Sequence, residues 1–334
     1  MLAVFQIPPP GVAMAINRRQ FLQNSSLFLS ACAMGTGLST FSETLRAQTN
    51  KAKIELLGSY WTFSGDAIPH SDREYSSFDF RDRVEAMSKA GFTGMGLWHA
   101  DLVHILETRS LKEMKQILDD NGIKHVELEF INDWFVDGEA RKASDKTRVL
   151  LLNAAEALSA RHIKVGYFDG KSTPMPVLIE SFAKLCAEAA NVGTNVVFEL
   201  MPISMINTLT DTLVMLEGAN ASNGGIIFDT WHVFKIKIPF EEIARFPKRF
   251  LLGVELNDGY LQAPNGMSIE EETTGHRQFC GEGEFDLKGF LAALARTGYD
   301  GPYGIEVLNL NLRTWPLDQA IDHAYTTTMA QFKA

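Results

Sequence analysis

Cysteine is scarce, with three in 334 residues. Only Cys186 and Cys280 lie beyond the N-terminal segment, which excludes a disulfide framework and leaves at most a single bridge between them. Positive charge is short as well: 31 Lys and Arg stand against 41 Asp and Glu, a formal charge of -10. No basic stripe results, so nucleic acid is not an expected partner. Beyond the N-terminal segment no stretch is long and apolar enough to span a bilayer. A Gly-rich phosphate turn after the first strand is also missing, which counts against an open, doubly wound sheet. Gly281-Glu282-Gly283 is too short and follows no strand. With 46% hydrophobic residues the chain can still bury one large core.

Residues 1–47 belong to a different regime. Asn17-Arg18-Arg19-Gln20-Phe21-Leu22, followed by the mildly apolar run Ser25 to Ala33, reads as a twin-arginine export signal. An amphipathic helix is the competing reading, but no polar face repeats at helical spacing. Met14 sits just upstream of the arginines, so residues 1–13 reflect a choice of start site. Cleavage after Ala47 gives a mature start near residue 48 and a periplasmic location. Leu29-Ser30-Ala31-Cys32 also fits a lipoprotein processing site, which would anchor the protein through Cys32.

From Lys53 onward strands and helices alternate. Strands are expected at Ile54–Gly58, Gly94–Leu97, His125–Phe130, His162–Val165, Asn195–Glu199, Gly225–Asp229, Leu251–Leu256 and Tyr303–Val307. Helices are expected at Phe78–Ala90, Leu111–Asn121, Lys146–Leu158, Val177–Asn191, Thr210–Glu217, Phe240–Ala244, Leu287–Thr297 and Leu317–Met329. Strict alternation argues for a parallel sheet, and eight such units argue for closure into a single-domain (β/α)8 TIM barrel over about residues 53–330. The one long connection, Asn257 to Glu284, is a candidate lid.

Four strands carry an acid at or near the C-terminal end: Glu199, Asp229, Glu255 and Glu306. Barrel enzymes keep their chemistry at that end. Strand side chains alternate, so Glu199 shares a face with Val197 and Asp229 with Ile227, as inward barrel positions do. Each acid taken alone is as readily a helix cap. Four together repel one another unless a cation sits among them. An all-carboxylate set favours one hard divalent ion, Mn²⁺ or Mg²⁺. Lys164 is the candidate to offset the surplus charge, unless it points outward between helices. His232, three residues past Asp229, is a candidate to bind a hydroxyl or shuttle a proton. His99, Glu129 and Arg277 are further candidate substrate contacts, with Trp61 and Trp134 as candidate walls for a sugar ring.

The spacing of Phe-Glu-Leu, Asp-Thr-Trp-His, Glu-Leu-Asn-Asp, the Arg277 to Glu284 loop and Gly-Ile-Glu-Val resembles the xylose-isomerase-like TIM barrels, over about residues 53–330. This family contains ketose 3-epimerases, hydroxypyruvate isomerase, and inosose and 3-dehydroshikimate dehydratases. The resemblance implies one divalent metal on Glu199, Asp229, Glu255 and Glu306, with Glu255 standing where histidine is common. It implies a small carbohydrate substrate, proton transfer by Glu199 and Glu306, and a homo-oligomer as a frequent form. The expected activity is an isomerase or epimerase acting through an enediolate, with a lyase as the alternative. An isomerase or epimerase returns the proton to the enediolate; a lyase expels a β-oxygen, with His232 or His99 as acid. A sugar-binding protein on an inactive barrel is the reading from another class. Export and the acidic mouth point to a non-phosphorylated keto-sugar or polyol.

Overall fold

Short buried strands and one-sided helices alternate along the chain, and each helix lays its apolar stripe on the outside of the sheet. The computed structural model describes residues 53–168 and 172–333. The twin-arginine motif, the Ala47 site and Cys32 lie outside the described residues. The order is β1 (Leu56–Gly58), α1 (Phe80–Ala90), β2 (Gly94–Trp98), α2 (His99–Leu106), α3 (Leu111–Asp120), β3 (His125–Ile131), α4 (Gly138–Leu158) and β4 (His162–Val165). Then come α5 (Met175–Asn191), β5 (Asn195–Glu199), α6 (Leu209–Ala219), β6 (Gly224–Asp229), α7 (Thr230–Ile236), α8 (Phe240–Arg245) and β7 (Leu251–Leu256). Finally α9 (Ile269–Gly275), α10 (Leu287–Thr297), β8 (Tyr303–Ile305) and α11 (Leu317–Gln331) complete the chain. All neighbouring strands are parallel, and β1 pairs with both β2 and β8, which closes the barrel.

The expected strands at β4, β5 and β7 and the helix α10 have the boundaries that periodicity gives. Others move. The helix expected from Lys146 begins at Gly138, because its first two turns are polar and bury only Ser144. Helices α2, α7 and α9 were not expected, since α2 and α7 start directly at strand ends with no turn residue to announce them. The expected lid is not a free loop. It contains α9, and Asp258 ties it down by accepting from the backbone N–H groups of Gly259, Gly281 and Phe285. Cys186 and Cys280 are both free and buried, so no bridge joins them.

The two faces of each strand do different work. Val196 and Phe198 of β5, and Ile226 and Phe228 of β6, join the large hydrophobic core between sheet and helices. On α5, Leu178, Phe182, Leu185, Cys186 and Ala189 supply the opposing surface at helical spacing. The alternate residues face the barrel axis, where Val197 and Ile227 lie under Glu199 and Asp229. This interior is unusually polar: Glu127, Glu129, His162, Lys164 and Glu255 are all buried. Such bulk fits because glycines face it. A Cβ on Gly304 would come within 2.7 Å of Glu255 Cγ, and one on Gly96 within 2.9 Å of Glu129 Oε1.

Gly304→Ala is therefore expected to lower stability by about 1–3 kcal/mol through overpacking against Glu255. Thermal and urea melts measure it, and an unchanged midpoint would show that the barrel interior has slack at this level.

Candidate metal centre and the cavity above it

Four strands deliver the acids to one place. Asp229 on β6 lies in register with Glu255 on β7, and Glu255 with Gly304 on β8. Glu199 ends β5, and Glu306 stands one residue past the last residue of β8. One carboxylate oxygen from each of Glu199, Asp229, Glu255 and Glu306 lies within 4.8 Å of the others, and all four residues are buried. Among the described residues this is the cluster able to hold a metal ion. Asp229 also serves as a helix cap, its Oδ1 accepting from His232 N at 3.1 Å at the start of α7. The capping reading and the ring reading hold together for this residue.

Two cations already stand inside the ring. Lys164 Nζ lies 2.7 Å from Glu255 Oε2, 3.1 Å from Glu306 Oε1, 3.3 Å from Glu129 Oε2 and 3.6 Å from Glu199 Oε1. Arg277 Nη1 donates to Asp229 Oδ2 at 3.1 Å and Glu306 Oε2 at 2.8 Å. Neutral donors complete the frame. Asn257 Nδ2 donates to Asp229 Oδ2 at 2.8 Å, and Ser59 Oγ to Glu255 Oε1 at 2.6 Å.

Five carboxyl groups, counting Glu129, thus face one ammonium and one guanidinium, three more acids than cations in a buried space. The protonation equilibria reflect this. Burial alone would lower the Lys164 ammonium, but its four carboxylate neighbours raise it well above the usual range, so it stays charged. Burial pushes Glu199 up, yet Lys164, His232 and Arg277 outweigh it and hold that carboxyl at about 2. Burial dominates at Glu129, and Glu306 and Glu199 add to it, against the pull of Lys164, so it rises to about 7. Glu255 is raised as well, first by burial and then by Glu306. The site fits a divalent cation on two counts. It carries uncompensated negative charge, and Glu199 Oε1 is buried without a hydrogen-bond partner.

Above the ring opens a cavity of about 200 Å³. Glu129, Glu199, Glu306, His232 and Arg277 form its polar part, and Trp61, Trp98, Phe130, Phe168, Met201 and Trp231 its apolar walls. The walls are a continuous aromatic series: Trp61 meets Trp98 at 5.0 Å, Trp98 stacks on Phe130 at 6.2 Å, and Phe130 on Phe168 at 5.0 Å.

Three expected contacts are placed elsewhere. Lys164 does not reach the cavity, because its ammonium is spent on carboxylates beneath it and it is 1% exposed. His99 starts α2 behind Trp98, where its Nδ1 accepts from Phe130 N at 3.4 Å. Trp134 packs on Phe182 and donates to Gly166 O, away from the cavity. Conversely, Ser59 and Asn257 were not anticipated. Asn257 had a signal, since it is two residues past Glu255 and so shares its face; Ser59 had none beyond its place just after β1.

The family model described as xylose isomerase-like TIM barrel matches residues 84–326. A 3-dehydroshikimate dehydratase of Pseudomonas aeruginosa is 26% identical over 239 residues, 70% of this chain and 37% of that protein. The chain thus spans little more than a third of that relative. A ketose 3-epimerase of Arthrobacter globiformis is 27% identical over 129 residues, covering 37% of this chain and 38% of that one. Among solved structures, the IolI protein with a bound zinc atom superposes with a TM-score of 0.72 at 16% identity, over 83% of this chain and 98% of that one. At that identity the likeness speaks to the fold.

Glu129 titrates near 7 in the folded chain against an ordinary 4.5. Its contribution to stability is therefore full below about pH 4.5 and lost as pH rises through about 7. Glu129→Gln lacks this loss. Measured by urea melts in metal-free buffer, the variant should gain on the unaltered protein by of order 1–3 kcal/mol between pH 5 and 8. A flat difference would mean that Glu129 ionises as an exposed carboxyl does.

Proposed function

The chain belongs to the xylose isomerase-like TIM barrel family, and from that premise we propose a divalent-metal-dependent enzyme that removes a proton beside the carbonyl of a non-phosphorylated keto-sugar or keto-polyol and expels a β-oxygen. The observation that carries this is the ring of Glu199, Asp229, Glu255 and Glu306, gathered within 4.8 Å beneath an aromatic-walled cavity. Those four carboxylates would hold a divalent ion, and the chemistry it would supply is Lewis-acid polarisation of the carbonyl, which would acidify the neighbouring C–H.

The residues divide the remaining work. Glu199 and Glu306 line the cavity from β5 and from the end of β8, placed to accept the proton from carbon. As the C–H electrons form the carbon–carbon double bond, the β C–O bond breaks and the departing oxygen takes a proton. Glu129 supplies that proton. It lines the cavity from β3, its Oε1 has no hydrogen-bond partner, and burial raises its carboxyl to about 7. The dehydratase among the relatives, aligned over 70% of the chain, agrees in reaction type. The second reading is epimerisation, in which Glu199 and Glu306 exchange one proton and Glu129 stays a spectator. The presence of both carboxylates on the cavity wall favours it.

A phosphate is a poor occupant. Among the described lining residues Arg277 is the one Lys or Arg, and its guanidinium is engaged by Asp229, Glu306 and Thr273. Glu74 and Glu270 add to the acidic wall. The Arg18-Arg19 motif assigns the reaction to the periplasm as part of the same proposal.

Incubating the Mn²⁺-loaded protein with candidate keto-sugars in D₂O separates the two readings. Elimination yields water or an alcohol, with solvent deuterium appearing only in recovered substrate when proton removal is reversible; epimerisation keeps every oxygen and places one solvent deuterium at the inverted carbon. Glu129→Gln should slow oxygen loss about 10²-fold or more while leaving C–H exchange. Glu306→Gln should suppress exchange itself. Full exchange by a metal-loaded Glu306→Gln protein would defeat the proton-transfer assignment.

A further inference from the structure

We infer that the open groove beside the reaction cavity is a subsite for an apolar aglycone, so that the substrate class is a keto-glycoside of an alkyl or aryl alcohol. The inference rests on the elimination reading above and names what the departing oxygen carries.

The cavity does not end at its rim. A groove of about 440 Å³ adjoins it, and Pro69 and Thr274 line both. Two segments supply walls to each. The β1–α1 connection gives Pro69 and Glu74 to the cavity and Ile68 and Pro69 to the groove. Helix α9 gives Thr273 and Thr274 to the cavity and Thr274 and Gly275 to the groove. Pockets that enclose a ligand larger than one sugar ring run to about 300–1,000 Å³. The cavity alone, at about 200 Å³, falls short of that range, and cavity and groove together reach it.

The groove is apolar and uncovered. Ile68 and Leu310, 49% and 51% exposed, line it with Pro264 and Met267. Ile269 and Phe168, on the cavity lining, are exposed as well. Four of the nine large apolar side chains exposed among the described residues are therefore gathered along one opening, and a contiguous patch of that kind marks a binding surface. The carboxylate of the groove is already engaged, since Glu271 Oε2 accepts from Ser268 N at 2.8 Å and from Ser268 Oγ at 2.7 Å. A second sugar, with hydroxyls that each need a partner, is poorly served there, whereas an alkyl or aryl group is well served.

The walls are also fixed in advance. Ile68 N donates to Arg73 O at 3.2 Å, Ser71 Oγ to Ile68 O at 2.8 Å, and His70 N to Glu74 Oε1 at 2.7 Å. Leu310 lies so close to Gly275 that a Cβ there would come within 3.1 Å of its Cγ, and Arg277 N donates to Leu308 O at 3.0 Å. A preformed wall avoids an ordering cost on binding. When the β C–O bond breaks, the oxygen leaves as an alcohol with its apolar group still seated in this groove.

Tryptophan fluorescence of the metal-free full chain, reported by Trp61, Trp98 and Trp231 on the cavity wall, tests this with methyl and hexyl β-glucosides. Neither probe has a ketone, so neither is turned over. The hexyl glucoside should bind about fivefold or more tightly than the methyl one, through burial of its added methylenes. Leu310→Asp and Ile68→Asp, at half-exposed positions, should each remove that preference and leave methyl glucoside binding unchanged. A smaller preference in the unaltered protein, or one that survives both substitutions, overturns the inference. Sedimentation velocity covers the other occupant, a second copy of the chain: a dimer that Leu310→Asp dissociates while the hexyl preference persists makes the groove an interface between copies and overturns the inference too. If the Mn²⁺-loaded protein turns over no keto-sugar, the elimination reading fails, while the metal-free glucoside comparison still decides whether the groove takes an apolar group.

Discussion

An ammonium group held within 3.6 Å of four buried carboxylates is the constraint around which the upper barrel is arranged. Removing an ionised carboxylate from water costs several kcal/mol, and a cluster of them adds mutual repulsion. Lys164 meets that cost from below, on β4, and Arg277 from the side, out of the β7–β8 connection. Neither alone suffices. Because Arg277 bridges Asp229 and Glu306, the segment that carries it is drawn onto the barrel, and Asn309 Nδ2 fixes it again by donating to Arg277 O. The connection expected to act as a lid is therefore part of the wall of the site.

Accommodating these groups sets the composition of the barrel interior. An ordinary barrel fills its axis with branched apolar side chains in layers. Here Gly96 and Gly304 stand beside Glu129 and Glu255 at distances a Cβ would violate. Lower down, His162 Nε2 lies 3.5 Å from Glu127 Oε1, and burial lifts that carboxyl to about 7 while holding His162 well below its usual value. Most of the hydrophobic contribution to stability thus comes from the outer layer, where helices such as α5 cover the sheet, while much of the axis is taken by charged and polar side chains.

Much of this was legible from periodicity. Alternation of strand and helix, with acids placed near the ends of successive strands, gave the closed barrel and the ring residues, because a period of two fixes the face a side chain takes. What periodicity does not fix is height and reach. Lys164 shares the inward face with the ring, but its ammonium ends below the cavity floor among Glu255 and Glu306. His99 sits at a strand end, yet the turn directly into α2 rotates it behind Trp98. Trp134 follows β3 and is claimed by Phe182 and Gly166 O. The aromatic series from Trp61 to Phe168 joins residues from two strands, β2 and β3, and two connections, and no local pattern in the chain marks such a set.

The contrast between Glu199 and Glu129 has the clearest chemical consequence. Both are buried carboxyls on one cavity wall and both feel Lys164, yet one is held at about 2 and the other raised to about 7. The difference lies in company. His232 and Arg277 reinforce the ionised form of Glu199, whereas Glu129 has Lys164 alone against the fields of Glu306, Glu199 and Glu127. Neighbouring carboxyls driven apart in this way are suited to opposite tasks, one permanently ionised and one able to give a proton at neutral pH. An ionised Glu199 serves ion binding, and as a base it gains strength only when substrate and ion reshape the field around it. Glu129 needs no such change to carry a proton, because burial and the neighbouring carboxylates already raise it to about 7.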